Sequence, residues 1–171
     1  MMTFTRSCHK IYCFDLDNTL FNTWPSLKNR QESKSWLAYF FSENKRILSL
    51  KSFAQMKELI SARLNRNNTE VLFLSARHWS LWPVTYLQLI LLFGFLHPRR
   101  IILVPTAAKK PNKLNVIWLR YNCKITWVDD LSFGHETGVV QFYHDEIAFA
   151  KNREWLTLIG TDKILLLTKE A

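Results

Sequence analysis

Apolar residues in this chain fall into short continuous runs separated by longer stretches with a helical period. "KIYCF", residues 10–14, is apolar and rich in strand formers, and it runs directly into two aspartates. That predicts a buried strand with carboxylates at its C-terminal end. From Ser33 to about Asn65, "SWLAYFF" and "FAQMKELISARL" place apolar residues three and four apart with Lys and Glu between them, which predicts a largely helical region. "RNNTE" breaks this pattern, and "VLFLSAR" predicts a second strand over 71–74 that ends at Ser75. A helix begins near Pro83, "RRIILVP" is a third strand stopped by Pro105, and "PNKLNVIWLRY" is a helix with Pro111 suited to its first turn. "KITWVDD" is a fourth strand closing on two more aspartates, and "KILLLTK" is a candidate fifth.

Strands alternating with helices imply βαβ units. The expected fold is α/β, a three-layer sandwich around a mainly parallel, Rossmann-like sheet. Ligands of such sheets bind beyond the carboxyl ends of the strands. Asp15 with Asp17, Ser75, and Asp129 with Asp130 end three of these strands, so residues far apart in sequence should gather at one place. Two like charges one residue apart repel, and folding alone gains little from Asp15 and Asp17.

Composition narrows the classes. With 171 residues, 48% of them hydrophobic and 22% charged, the chain suits a single domain over 1–171 with a real core. "MMTFTRSCHK" lacks the apolar segment of a signal peptide. "VTYLQLILLFGFL", residues 84–96, contains Gln88 and is too short to cross a bilayer. Cys8, Cys13 and Cys123 form neither a CxxC nor an even framework, as expected of reduced thiols in a cytoplasmic protein. The net charge of +9 favours polyanionic or phosphorylated partners, without any arginine-rich block or nucleic-acid signature. His9, His78, His97, His135 and His144 show no metal-ligand spacing and read as structural or surface residues.

Four motifs in order carry the chemistry: "FDLDNTL" after an apolar strand, "FLSAR", a lysine at a helix head within "KKPNKLNVI", and "ITWVDD". This constellation resembles the haloacid dehalogenase-like (HAD) hydrolase superfamily, whose members are mostly magnesium-dependent phosphatases. Displacement at phosphorus needs a nucleophile in line, a proton for the leaving oxygen, and positive charge around the transferring oxygens. The resemblance implies that Asp15 attacks phosphorus and becomes an aspartyl-phosphate, while Asp17 protonates the leaving alkoxide and then activates water. It implies Mg2+ held by Asp15, the backbone carbonyl of Asp17, and Asp129 or Asp130, with Asp129 preferred as the direct ligand. Ser75, the adjacent Ala76 and Thr19 would bind the phosphoryl group, and Arg77 would reach a distal part of the substrate. The phosphate lysine is Lys113 or Lys110, with Lys113 preferred because "KLNVI" fits a pattern of some branches. Asn18 stands where the family often has glycine.

Residues 24–50 leave room for a short helical lid but not for a full cap domain. An open site suits large substrates, and the seven tryptophans and positive charge agree with a nucleic-acid end, because bases stack on aromatic rings. The expected function is a magnesium-dependent phosphomonoesterase acting on a phosphorylated substrate such as a polynucleotide end, with neither membrane nor obligate protein partner. Three alternatives stay open: a phosphatase of nucleotides or sugar phosphates, a phosphotransferase, and an idle relative that binds nucleic acid or a partner.

Overall fold

The computed structural model describes residues 10–27, 35–134, 140–160 and 163. Along the chain, β1 (Lys10–Phe14) is followed by α1 (Trp24–Leu27), α2 (Trp36–Ser49), α3 (Ala54–Leu64) and β2 (Thr69–Ser75). Next come α4 (Trp82–Phe93), β3 (Ile101–Leu103), α5 (Lys110–Tyr121) and β4 (Lys124–Val128). A two-stranded ribbon, β5 (Ser132–Phe133) with β6 (Gln141–Phe142), leads to α6 (His144–Lys151) and β7 (Leu156–Ile159). The main sheet has the order β3-β2-β1-β4-β7, and every pairing in it is parallel.

Because successive strand residues face opposite sides, β1 at the sheet's centre feeds two separate cores. Tyr12 and Phe14 pack with Val71 and Phe73 under Met56, Leu59 and Ile60 of α3 and Leu89 of α4. Ile11 and Cys13 pack on the other face with Leu72 and Leu74, beneath Leu114 and Ile117 of α5 and Ala150 of α6. A strand covered on both sides must be apolar throughout, which is why "KIYCF" reads as a continuous run.

The ends of β1, β2 and β4 lie where the hydrophobic pattern put them. Among the described residues the sheet has a fifth strand that the pattern did not predict. It is "LTLI", which bonds to the open edge of β4 with Ile125 opposite Leu156, whereas "KILLLTK" continues beyond Lys163, outside the described residues. Cys8, His9 and His135 also lie outside them. Among the described residues no helix is long and apolar enough to cross a membrane.

The region predicted as helical between Ser33 and Asn65 divides at Leu50, which is extended. There the backbone bonds the loop after β1 instead of continuing a helix: Asn22 N–H donates to Lys51 O, and Phe53 N–H donates to Leu20 O. This tie steadies the loop carrying Asp17. The lid segment of residues 24–50 holds α1 and α2. Only the C-terminal half of α2 is packed, with Ile47 against Leu81 and Val84, so Trp36, Leu37 and Phe41 remain exposed. The amphipathic pattern of "SWLAYFF" overstates its burial.

Candidate active site

The register of the sheet places the chemistry. Phe14, the last residue of β1, lies between Phe73 of β2 and Val128 of β4, so Asp15 emerges level with Asp129 and one residue short of Ser75. Asp15 N–H still bonds Val128 O at 2.9 Å. The chain then turns sharply, with Leu20 and Phe21 N–H both returning to Leu16 O. Asn18 takes the left-handed conformation at φ 58°, which asparagine tolerates better than most residues. Its side chain accepts from Thr23 Oγ1 at 2.6 Å, a link that glycine could not make.

Lys110, the first residue of α5, extends Nζ to Asp15 Oδ1 at 2.8 Å and Asp129 Oδ2 at 2.7 Å. All three side chains are almost fully buried. Asp129 is held further by Trp127 Nε1, which donates to Oδ2, and by Leu131 N–H, which donates to Oδ1, each at 2.9 Å. Asp130 is half-buried. Its N–H donates to Thr19 Oγ1 at 3.1 Å, and its carboxylate accepts from Ser132 Oγ. Thr19 is thus joined to Asp130, and Lys113 sits half-buried one turn beyond Lys110.

Asp15, Asp129 and Asp130 each offer an oxygen, and these oxygens lie within 4.8 Å of one another. Against three carboxylates stands Lys110, which leaves the cluster with excess negative charge. Burial pushes the Asp15 carboxyl well above its usual range; Lys110 opposes this, while the charges of Asp129 and Asp17 add to it. Burial alone would lower Lys110, but Asp129 and Asp15 more than compensate and hold it firmly protonated. An all-oxygen donor set with surplus negative charge suits a hard divalent cation such as Mg2+.

Asp17 faces elsewhere. Both its oxygens are gripped by Arg77, with Nε to Oδ2 at 2.9 Å and Nη2 to Oδ1 at 2.8 Å. Burial would raise the Asp17 carboxyl, yet the Arg77 guanidinium outweighs it and holds the group below the ordinary carboxylate range. Arg77, expected to reach outward, is buried, and its Nη1 donates to Thr85 and Gln88 of α4. Ser75 is buried at the strand end and accepts weakly from Arg77 N–H at 3.4 Å, while Ala76 is exposed.

Sequence reasoning gave no role at the site to Trp127, to Ser132 or to the pair Thr85 and Gln88. The pair left a signal: polar residues three apart in an otherwise apolar helix share one face. Beside Asp129 and Asp130 a cavity of about 740 Å³ follows β7, with Phe142, Lys151, Arg153 and Lys163 among its walls.

No protein-family model matches this sequence, and no curated protein matches it. The structure is similar to that of the HAD domain of effector protein Lem4 from Legionella pneumophila. The TM-score is 0.51 at 12% identity, over 95% of this chain and 93% of that one. A likeness at that identity speaks to fold alone, and by sheet order, flanking helices and this match the chain has a HAD-like α/β fold.

Proposed function

We propose that this chain is a magnesium-dependent phosphomonoesterase that works through an aspartyl-phosphate on Asp15. The observation that carries this reading is Lys110 bridging Asp15 and Asp129 beside Asp130, all at the carboxyl end of a parallel sheet. Asp15 supplies the oxygen that bonds to phosphorus as the bond to the leaving oxygen breaks. Lys110 keeps positive charge beside that nucleophile and the transferring oxygens. Asp17 would give a proton to the leaving oxygen in the first step and take one from water in the second, and its pairing with Arg77 favours the charged form that the second step needs. Asp15, the Asp17 carbonyl and the Asp129–Asp130 pair would hold magnesium, which when bound supplies charge neutralisation at the phosphoryl oxygens.

Phosphate release from nucleotides, sugar phosphates and phosphorylated oligonucleotides, with magnesium or with chelator, tests this reading. Release that requires magnesium supports it, and absence of release across the panel overturns it.

Within the acid pair, this reading takes Asp130, whose carboxylate accepts from Ser132, as the direct ligand in place of Asp129, which the sequence favours. Asp129 already accepts from Lys110, Trp127 and Leu131. Asp130→Ala is expected to raise the magnesium concentration for half-maximal activity on the order of tenfold with little change in melting temperature. Asp129→Ala should chiefly lower the melting temperature. The reverse pattern in magnesium titrations and thermal melts would restore Asp129 as ligand.

The substrate in this reading carries its phosphate on an extended polyanion, a polynucleotide end above all. Its supports are the basic wall of Lys151, Arg153 and Lys163 near the carboxylates, the net charge of +9, and a segment of residues 24–50 too short for a full cap domain. A phosphorylated oligonucleotide should exceed the matching mononucleotide in kcat/KM by on the order of tenfold at low salt, and salt should erode that advantage. A mononucleotide or sugar phosphate that wins at both low and high salt would make this a small-molecule phosphatase.

A further inference from the structure

Gln88 is a polar side chain in the middle of the most apolar helix, and it is buried. An apolar residue would pack there without desolvating an amide, so its presence calls for a use. Both ends of the amide are engaged. Oε1 accepts from Arg77 Nη1 at 2.9 Å, and Nε2 donates to the backbone oxygen of Ile47 in α2. Thr85 Oγ1, on the same face of α4, accepts from the same Nη1 at 3.2 Å. The remaining face of Arg77 carries the two-bonded grip on Asp17, and its guanidinium carbon stands 5.6 Å from the centre of the Phe21 ring.

A guanidinium is a planar fork, so fixing one of its edges fixes the direction of the other. Arg77 is anchored on α4 at Nη1 and aims Nε and Nη2 at Asp17. Gln88 in turn takes its own bearing from α2, through the backbone oxygen of Ile47. We propose that Gln88 is a positioning residue, which orients Asp17 through Arg77 and makes that orientation depend on the seating of α2 against α4. Gln88 touches none of the reacting groups. Its effect reaches the site because the amide bonds Arg77 at one end and Ile47 at the other, and moving Ile47 moves the whole series. The proposal rests on the phosphatase reading only for its kinetic test.

Gln88→Leu keeps the approximate volume and removes both hydrogen bonds. In the wild-type protein the Arg77 Nε–H should give a resolved NMR resonance protected from solvent exchange, assigned by its disappearance in Arg77→Lys. In Gln88→Leu that signal is expected to exchange at least tenfold faster, while the backbone spectrum of the sheet stays unchanged. This readout needs no turnover, so it stands even if no phosphatase activity is found. The kinetic arm compares an alkyl phosphate with an aryl phosphate, following release of the alcohol. Gln88→Leu should lose on the order of tenfold in kcat for the alkyl substrate and much less for the aryl one, because proton delivery matters least to a good leaving group. KM should stay within about twofold, since the displaced group acts on the proton rather than on substrate binding.

Thr85→Val removes the second anchor and should give the same pattern more weakly, which protects the test against a Gln88 variant that folds poorly. An unchanged Arg77 exchange rate in a folded Gln88→Leu overturns the proposal, as does equal loss on both substrates. Absence of wild-type turnover together with faster Arg77 exchange would sink the phosphatase reading and leave the positioning network standing.

Discussion

Asp15→Asn is expected to abolish turnover, by on the order of a thousandfold or more, in a protein that folds as well as the wild type. The amide nearly matches the carboxylate in shape and still accepts from Lys110, but it cannot form an acyl-phosphate. Stability should not suffer, because Asp15 is a strained charge: it is buried beside Asp129 and Asp17, and its carboxyl titrates well above the ordinary range. For an acid shifted upward, the folded state binds the proton more tightly than the unfolded chain. Its contribution is therefore complete at low pH and is lost as pH rises through the folded-state value. Asparagine does not titrate. In metal-free buffer the melting temperature of the variant should gain on wild type as pH rises from about 4 to about 8. Normal turnover by a well-folded Asp15→Asn would remove Asp15 as nucleophile.

Lys110→Met should be damaging in two ways, and Lys113→Met in neither. Removing the ammonium strands Asp15 and Asp129 in a buried site, where losing one partner of an ion pair typically costs about 3–5 kcal/mol. That cost should shrink in acid, where the Asp15 carboxyl, pushed upward by burial, takes up a proton. Turnover should fall by on the order of a hundredfold or more as the positive charge beside the nucleophile disappears. Lys113, half-buried and a turn away, should tolerate the same change within about 0.5 kcal/mol. Urea unfolding at neutral and acid pH, with initial rates alongside, measures both effects. If Lys113→Met proves the more harmful variant, the ion-pair geometry at Lys110 is wrong.

The lysines show where sequence reading stopped. Both stand near the head of α5, and a short motif preferred the later one. Helical side chains lean back toward the N-terminus, so the first residue of α5 can reach strand ends that lie before the helix. That depends on how α5 sits against β1 and β4, which is a tertiary fact. The strand ends themselves were legible, because a strand buried on both faces leaves an unbroken apolar run that its first carboxylate interrupts. Asp15, Asp17, Ser75, Asp129 and Asp130 could be read on that principle alone. β7 could not, since four residues around a threonine give little signal and the strand exists because β4 has an open edge. The exposed aromatics of α2 misled for the opposite reason: periodicity reports which residues could share a face, not whether anything covers it. Arg77 was expected to reach outward to a distal part of the substrate, and only the pairing across to Asp17 shows why it is inside.

The order of strands has a consequence for how the protein comes to be functional. Asp15 is made early, and its counter-charge at Lys110 comes 95 residues later, with Asp129 and Asp130 after that. The central strand must wait for β4 to be synthesised before its second edge is filled. Parallel pairings over such separations form slowly, because the intervening chain must be ordered before the contacts repay it. Until then the helices can exist without the carboxylate cluster. The acids that would repel one another in the finished site are kept apart in the nascent chain, and they meet only when the lysine between them arrives. The cluster drawn from β1, α5 and β4 therefore assembles only as these long-range pairings form.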